Sequence, residues 1–460
     1  MMLDLETAAR ALGATRAGPN ATFNGVTTDS RQIQPADLFV ALRGERFDGH
    51  AFVDAALSSG AAAALVDQDA APKTSHAPLI LVRDTRAALG QLAAFWRARF
   101  TLPLAAITGS NGKTTVKEML AAMLRAAADE KAVLATIGNL NNDIGVPLML
   151  LRLRDQHRYA AIEMGMNHVG EIGYLTALAR PNVALVTNAG VAHIGEVGSR
   201  EAIAQAKGEI YAGLGETGIA LINADDEFAP LWRELNRERT VIEFGIERPA
   251  AVSAQFELSA RGSLMSISTP GSAYVARLQV PGLHNVRNAL AAAAAGYALG
   301  LPAVEAAAGL TAYAGTKSRL QHKTARGGAT LIDDTYNANP DSVKAAIAVL
   351  AAADGKRVLV LGDMGELGEA GPALHAEVGE EARRAGLDYL LTLGELSDAA
   401  ARAFGSGGKH FQELGDLCAA LNPLLGGDTT VLVKGSRFMR MERVVERFVT
   451  GEPQPAKGGH

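Results

Sequence analysis

A run of four apolar residues, Leu104-Ala105-Ala106-Ile107, leads into Thr108-Gly109-Ser110-Asn111-Gly112-Lys113-Thr114-Thr115 and then into the helical apolar spacing of residues 116–124. A buried strand, a Gly-rich turn and a helix N-terminus in that order make a phosphate cradle. Small residues let the backbone N–H groups of the turn approach phosphate oxygens. Lys113 is placed to carry its ammonium to the β- and γ-phosphates of a nucleotide, and the Thr114 hydroxyl to hold Mg²⁺. The general pattern G-x-x-x-x-G-K-[ST] has Gly where this chain has Ile107, so only the shorter G-x-x-G-K-T-T is present. An incidental Gly-Lys turn would not be flanked by both a strand and a helix. A nucleotide-binding P-loop is therefore expected.

The chain has 460 residues, which at ordinary domain sizes means about three domains. Hydrophobic content of 48% with 20% charged residues predicts a globular chain that can bury full-sized cores. A formal net charge of -5 argues against a nucleic-acid partner, which needs a basic face. A single cysteine, Cys418, excludes an internal disulfide and a thiolate-rich metal site, and its apolar surroundings predict a buried structural thiol. The first residues, MMLDLETAAR, lack a basic region followed by an apolar core, and the Ala-rich run at 291–295 is too short and weakly apolar to span a bilayer. These readings predict a cytoplasmic protein without a signal peptide or transmembrane segment.

Alternating strand-like and helix-like patterns predict an α/β protein. In residues 1–84, strands are expected at 37–42, 63–66 and 79–82, with a helix at 52–58. A helix at 85–100 leads to the P-loop strand. In a central unit at 85–313, strands at 159–163, 183–188 and 219–223 alternate with helices, which implies a parallel sheet. Residues 241–280 read as short β runs in a small antiparallel patch, and 284–299 as an Ala-rich helix. A smaller α/β unit at 314–460 restarts the alternation, with strands at 358–361, 389–393 and 430–434. The last ten residues read as disordered.

Strand ends in a parallel sheet point their next residues into the ligand crevice. Glu163 ends one strand, His193 follows another, and Lys207 lies in a helix beyond. Glu163 and His193 could hold Mg²⁺ bridging to a γ-phosphate. Singly, each is more often a solvated turn residue, a satisfied neutral histidine or a surface lysine.

Together with their flanking residues they resemble the Mur ligase family, the ATP-dependent amide-bond-forming enzymes of peptidoglycan precursor synthesis. The shortened P-loop at 107–115 is similar to that family's. So are Gly282-Leu283-His284-Asn285-Val286-Arg287-Asn288 on the adenine side, Ser318-Arg319-Leu320-Gln321, and Ile332-Asp333-Asp334-Thr335-Tyr336-Asn337-Ala338-Asn339-Pro340. The resemblance implies three domains: a small N-terminal α/β nucleotide-sugar domain, a central P-loop parallel-sheet ATPase domain and a C-terminal Rossmann-like α/β domain. Thr27-Thr28-Asp29-Ser30-Arg31, residues 37–44 and Asp48-Gly49-His50 look like a uridine-nucleotide-binding domain. Residues 139–147, 188–195 and 334–340 are similar to the branch that adds D-alanyl-D-alanine to UDP-N-acetylmuramoyl-tripeptide.

The same resemblance implies a reaction and a role for each of these residues. In that reaction the tripeptide carboxylate attacks the γ-phosphate of ATP, and the dipeptide amine attacks the resulting acyl phosphate. By resemblance, Gly109, Ser110, Asn111, Gly112, Lys113, Thr114 and Thr115 cradle the phosphates, while Asn288, Arg319 and Asp334 grip adenine, phosphate and ribose. An interdomain salt bridge is the other role open to Arg319 and Asp334. The family's metal site implies that Thr114, Glu163, His193 and a carbamylated Lys207 hold Mg²⁺, with Lys113, Lys207 and His193 catalytic. Ser30, Arg31, Asp48, Gly49 and His50 are expected to bind the uridine substrate. Asn337 and Asn339 are expected to meet the dipeptide, and Lys434 either helps position phosphates or is a solvated strand-end lysine. The chain is expected to act on small molecules as a monomer. Three alternatives stay open: the related ligase adding the third amino acid, a folylpolyglutamate synthase, and a P-loop switch. The domain bearing Asp29-Ser30-Arg31 argues against the folate enzyme, and the lack of an N-K-x-D motif argues against a GTPase switch.

Overall fold

Side-chain alternation decides the central sheet. The computed structural model describes residues 1–45, 47–70, 76–190 and 194–450. Six parallel strands lie in the order Thr240–Phe244, Ile219–Asn223, Val183–Val186, Leu104–Thr108, Tyr159–Glu163 and Val133–Ala135. Ala105, Ile107, Ala161, Leu185 and Leu221 pack beneath the helices Lys113–Ala128 and Leu283–Ala298. Leu104, Ala106, Ala160, Ile162, Ala184 and Ile222 pack on the opposite face, against Thr85–Arg97 and Glu171–Ala179. Each buried Leu or Ile side chain contributes about 1.5–3 kcal/mol, so both layers are strongly fixed to the sheet. The alanines of 289–295 are buried, and their small size lets that helix lie close to its neighbours.

Two further sheets flank this one. The first has the order Thr15–Ala17, Leu79–Val82, Ala63–Asp67, Asp37–Val40, Gly25–Thr27, parallel except for its first strand. Leu38, Val40, Leu65 and Ile80 from that sheet share one apolar cluster with Leu89 and Leu92 of the Thr85–Arg97 helix, which joins the two layers. The other sheet has the order Gln321–Thr324, Thr330–Asp334, Thr429–Lys434, Lys356–Gly362, Tyr389–Leu393, Gly408–Phe411, parallel except for its first strand. The architecture is the expected α/β one with three sheet-based units.

Two local expectations change. The P-loop helix begins at Lys113 instead of 116, because the turn itself closes into the first helical turn. Residues Thr240–Phe244 form the parallel edge of the central sheet, and the antiparallel patch holds only Ser253–Ser259, Gly262–Thr269 and Ser272–Leu278. Cys418 is buried in the helix Leu414–Leu421, and burial pushes its thiol pKa up. Among the described residues no helix is long and apolar enough to cross a membrane. The tail at 451–460 lies outside the described residues.

Candidate active site

The P-loop glycines are fixed by contact. Gly109 has φ 147°, and a Cβ there would lie 1.8 Å from Thr187 Oγ1. Gly112 has φ 83°, and its Cβ would lie 2.2 Å from Asn288 Oδ1. The neighbouring strand end holds the loop open. Ser110 N donates to Asn188 O at 2.9 Å, Asn111 N to Asn188 Oδ1 at 2.9 Å, and Thr187 Oγ1 to Asn111 O at 2.6 Å. The amides of Ser110 and Asn111 are therefore spent within the protein. Gly112 gives the helix no side-chain cap, so the first-turn amides of Lys113, Thr114 and Thr115 have no intrahelical partner and remain for an anion.

Lys113 Nζ folds back onto Gly109 O at 2.6 Å and Ser110 O at 3.2 Å. Burial lowers its pKa, the Glu163 charge opposes that shift, and Arg319 reinforces it. Arg319 arrives from the C-terminal unit. Its Nη2 donates to Thr114 Oγ1 at 3.0 Å, and its guanidinium stacks 4.2 Å from the Tyr336 ring centre. Asn288, on the opposite wall, lies 3.4 Å from Asn285. Asn111, Thr115, Asn288, Arg319 and Asp334 line one cleft of about 470 Å³ between the central and C-terminal units.

Glu163 ends its strand beside Ile107 of the P-loop strand. Its Oε1 accepts from Asn141 Nδ2 at 2.8 Å, and its Oε2 is buried without a hydrogen-bond partner among the described residues. A buried carboxylate oxygen left unmatched is costly unless something cationic meets it. Lys207 is buried in the helix Arg200–Gly208, and burial, with Lys113 nearby, holds its pKa well below the ordinary range. The hard oxygens of Glu163 and Thr114 suit Mg²⁺. His193 lies outside the described residues.

Several side chains expected at ligands are engaged elsewhere. Asp334 accepts from Leu320 N at 3.2 Å and from Lys434 Nζ at 2.6 Å. Lys434 is 4% exposed and also donates to Asn337 O, so it is neither solvated nor free for a phosphate, and no Arg319–Asp334 bridge forms. Asn337 turns its Oδ1 onto the N–H of Ala338. Asn339 caps the helix Pro340–Ala351 in a capping box with Ser342, and its Nδ2 donates to Asn111 Oδ1 at 2.8 Å. Its amide thus joins the third unit to the P-loop, a role hidden from sequence because its partner lies 228 residues away.

The first unit's residues lie apart from the cleft. Arg31 is exposed and forks Asp29 through Nε and Nη2, holding that carboxyl down to about 2. Ser30 sits in the same turn. A Cβ on Gly49 would strike Leu42 O at 2.7 Å. His50 is a brace: Nδ1 pairs with Asp48 Oδ1 at 2.6 Å, and Nε2 accepts from Asp67 N at 2.9 Å.

Residues 22–97 match the Mur ligase family catalytic domain, 107–296 the Mur ligase middle domain, and 318–437 the Mur ligase glutamate ligase domain. The chain is 43% identical over 435 residues to UDP-N-acetylmuramoyl-tripeptide--D-alanyl-D-alanine ligase from Escherichia coli, covering 93% of this chain and 94% of that one. A crystal structure of MurF from Acinetobacter baumannii superposes with TM-score 0.90 at 37% identity, covering 96% and 98%. MurF ligase from Thermotoga maritima in complex with ADP superposes with TM-score 0.80 at 28% identity, covering 92% and 96%.

Proposed function

The chain belongs to the Mur ligase family, and on that premise we propose that it joins D-alanyl-D-alanine to UDP-N-acetylmuramoyl-tripeptide at the expense of ATP. The observation that carries this reading is the meeting of two units over one P-loop: Arg319 on Thr114 and Asn339 on Asn111. That arrangement brings the C-terminal unit, the proposed acceptor domain, to the phosphate cradle. The relatives named for this reaction support the choice of dipeptide.

The tripeptide carboxylate is a poor electrophile. One of its oxygens attacks the γ-phosphorus, the bond to ADP breaks, and an acyl phosphate forms. The neutral amine of the dipeptide then attacks the acyl carbon. The acyl C–O bond breaks, phosphate leaves, and the nitrogen sheds its proton. Phosphoryl transfer needs mainly positioning and charge neutralisation. The first-turn amides and Lys113 hold phosphate oxygens, and Arg319 brings further positive charge. Thr114, Glu163, His193 and Lys207 as a carbamate would hold Mg²⁺, which neutralises phosphate charge when bound. A lowered Lys207 pKa leaves the neutral amine that carbamylation requires. Asn288 and Asp334 frame the nucleoside, and Lys434 orients Asp334. Ser30, Arg31 and the 48–50 turn bind the uridine substrate, with His50 stiffening that turn. Asn337 borders the acceptor's path.

Residues 1–84, 85–313 and 314–460 serve as the uridine-substrate, ATP and acceptor domains. The phosphate site draws on both larger domains of a single chain, which fits a monomer. A small-molecule nucleotide reaction fits the expected cytoplasmic location. The test is to incubate the chain with ATP, Mg²⁺, UDP-N-acetylmuramoyl-tripeptide and D-alanyl-D-alanine and weigh the products. A pentapeptide product with ADP is expected. ADP release without that product, or product only from a single amino acid in place of the dipeptide, would overturn the proposal.

A further inference from the structure

The protein treats the two oxygens of Glu163 differently. Oε1 accepts from Asn141 Nδ2 at 2.8 Å, whereas Oε2 is buried and unpartnered among the described residues. The backbone there is pinned as well. Glu163 N donates to Thr136 Oγ1 at 2.9 Å, and Lys117, itself fully buried, donates from Nζ to Thr136 O at 2.7 Å. Asn141 is held in turn: its carbonyl accepts from Gly165 N at 2.8 Å. A Cβ on Gly165 would lie 3.1 Å from the Asn141 side chain, so Asn141 sits close against that backbone.

We propose that Asn141 is a positioning residue that makes Glu163 a one-oxygen metal ligand and so biases the site toward Mg²⁺ over Ca²⁺. The inference rests on the reading of Glu163 as a ligand of the divalent cation. Mg²⁺ demands near-octahedral geometry from separate oxygens at short distance, whereas Ca²⁺ takes more ligands and accepts a bidentate carboxylate. A carboxylate with an amide hydrogen on one oxygen offers the other. Without that amide both oxygens can turn to the ion, and the larger cation gains more from them. Hydrogen-bond partners of metal ligands commonly tune affinity in this way.

The experiment uses the full chain with ADP and Mn²⁺, with free Mn²⁺ read by electron paramagnetic resonance. Displacement by Mg²⁺ and by Ca²⁺ gives the ratio of their affinities. Asn141→Ala and the near-isosteric, donorless Asn141→Leu are compared with the parent, each checked for fold by circular dichroism. The ratio should move toward Ca²⁺ by about tenfold. An unchanged ratio in either folded variant overturns the proposal. Glu163→Gln is the separate control. If it keeps Mn²⁺ affinity, Glu163 is not a ligand and the reading beneath the proposal fails. If it loses Mn²⁺ while the Asn141 variants keep the parental ratio, only the proposal fails.

Discussion

At Lys207 the chemistry turns on whether the amine carries a proton or a carbamate. The fold buries it and, with Lys113 nearby, makes its charged form costly. Bare ammonium beside a divalent cation is repelled, whereas a carbamate adds an oxygen donor. Lys207→Ala should lose at least roughly a hundredfold in kcat, because loss of an outer partner of a metal ligand already costs about 10–100-fold and the carbamate would be a ligand itself. Short carboxylic acids should restore part of that loss, and Lys207→Arg should be inactive with no rescue. Steady-state assays with added formate and acetate check this. An active Arg variant would contradict the carbamate. Other residues resist sequence reading for a physical reason: their chemistry depends on partners far along the chain. Asn141 and Thr136 gain meaning only once a strand crossing sets them against Glu163.

At the scale of elements, the strand, turn and helix of the P-loop are legible because each carries a local signal: an apolar run, glycines and a helical period. The edge strand Thr240–Phe244 is not, because its register is set by pairing with Ile219–Asn223 and not by its own pattern. At the helix Pro340–Ala351 the sequence offers Asn339 to the acceptor, whereas the fold spends its side chain on the cap and on Asn111. Asn339→Ala should cost about 1 kcal/mol through the lost cap. It should also raise the KM for ATP, since it cuts the tie to Asn111. Denaturant midpoints and initial rates together test both halves; a destabilised variant with unchanged ATP kinetics would reduce Asn339 to a cap. The helix Leu283–Ala298 carries a pH signature at its start. Burial lowers the pKa of His284 to about 4, opposed by Asp334 and reinforced by Lys434 and Arg287. The unfolded chain, titrating near 6.5, binds more protons between these values. Stability is therefore fully present above about 6.5 and is lost as pH falls toward about 4, by on the order of 3 kcal/mol. Replacing His284 with Gln should flatten that loss in urea titrations across the window, and an unchanged pH dependence would refute the assignment.

For the whole molecule, the proposed activity requires the C-terminal unit to seat on the central one. Gly195 N donates to Glu366 O at 3.1 Å, and a Cβ at Gly195 would lie 2.9 Å from both Glu366 O and Gly368 N. Gly195→Ala should leave the sheets intact yet hold the units apart, lowering kcat by roughly tenfold or more through misplacing Arg319 over the P-loop. Unchanged kcat with an unchanged solution scattering profile would show that this contact does not gate seating. Activation of the tripeptide carboxylate as an acyl phosphate is tested most directly with a tripeptide substrate whose terminal carboxylate carries heavy oxygen in both positions. One heavy oxygen is expected in the released inorganic phosphate and one in the new amide, in step with ADP formation and dependent on D-alanyl-D-alanine. Heavy oxygen in AMP, or none in the phosphate while pentapeptide accumulates, would contradict it.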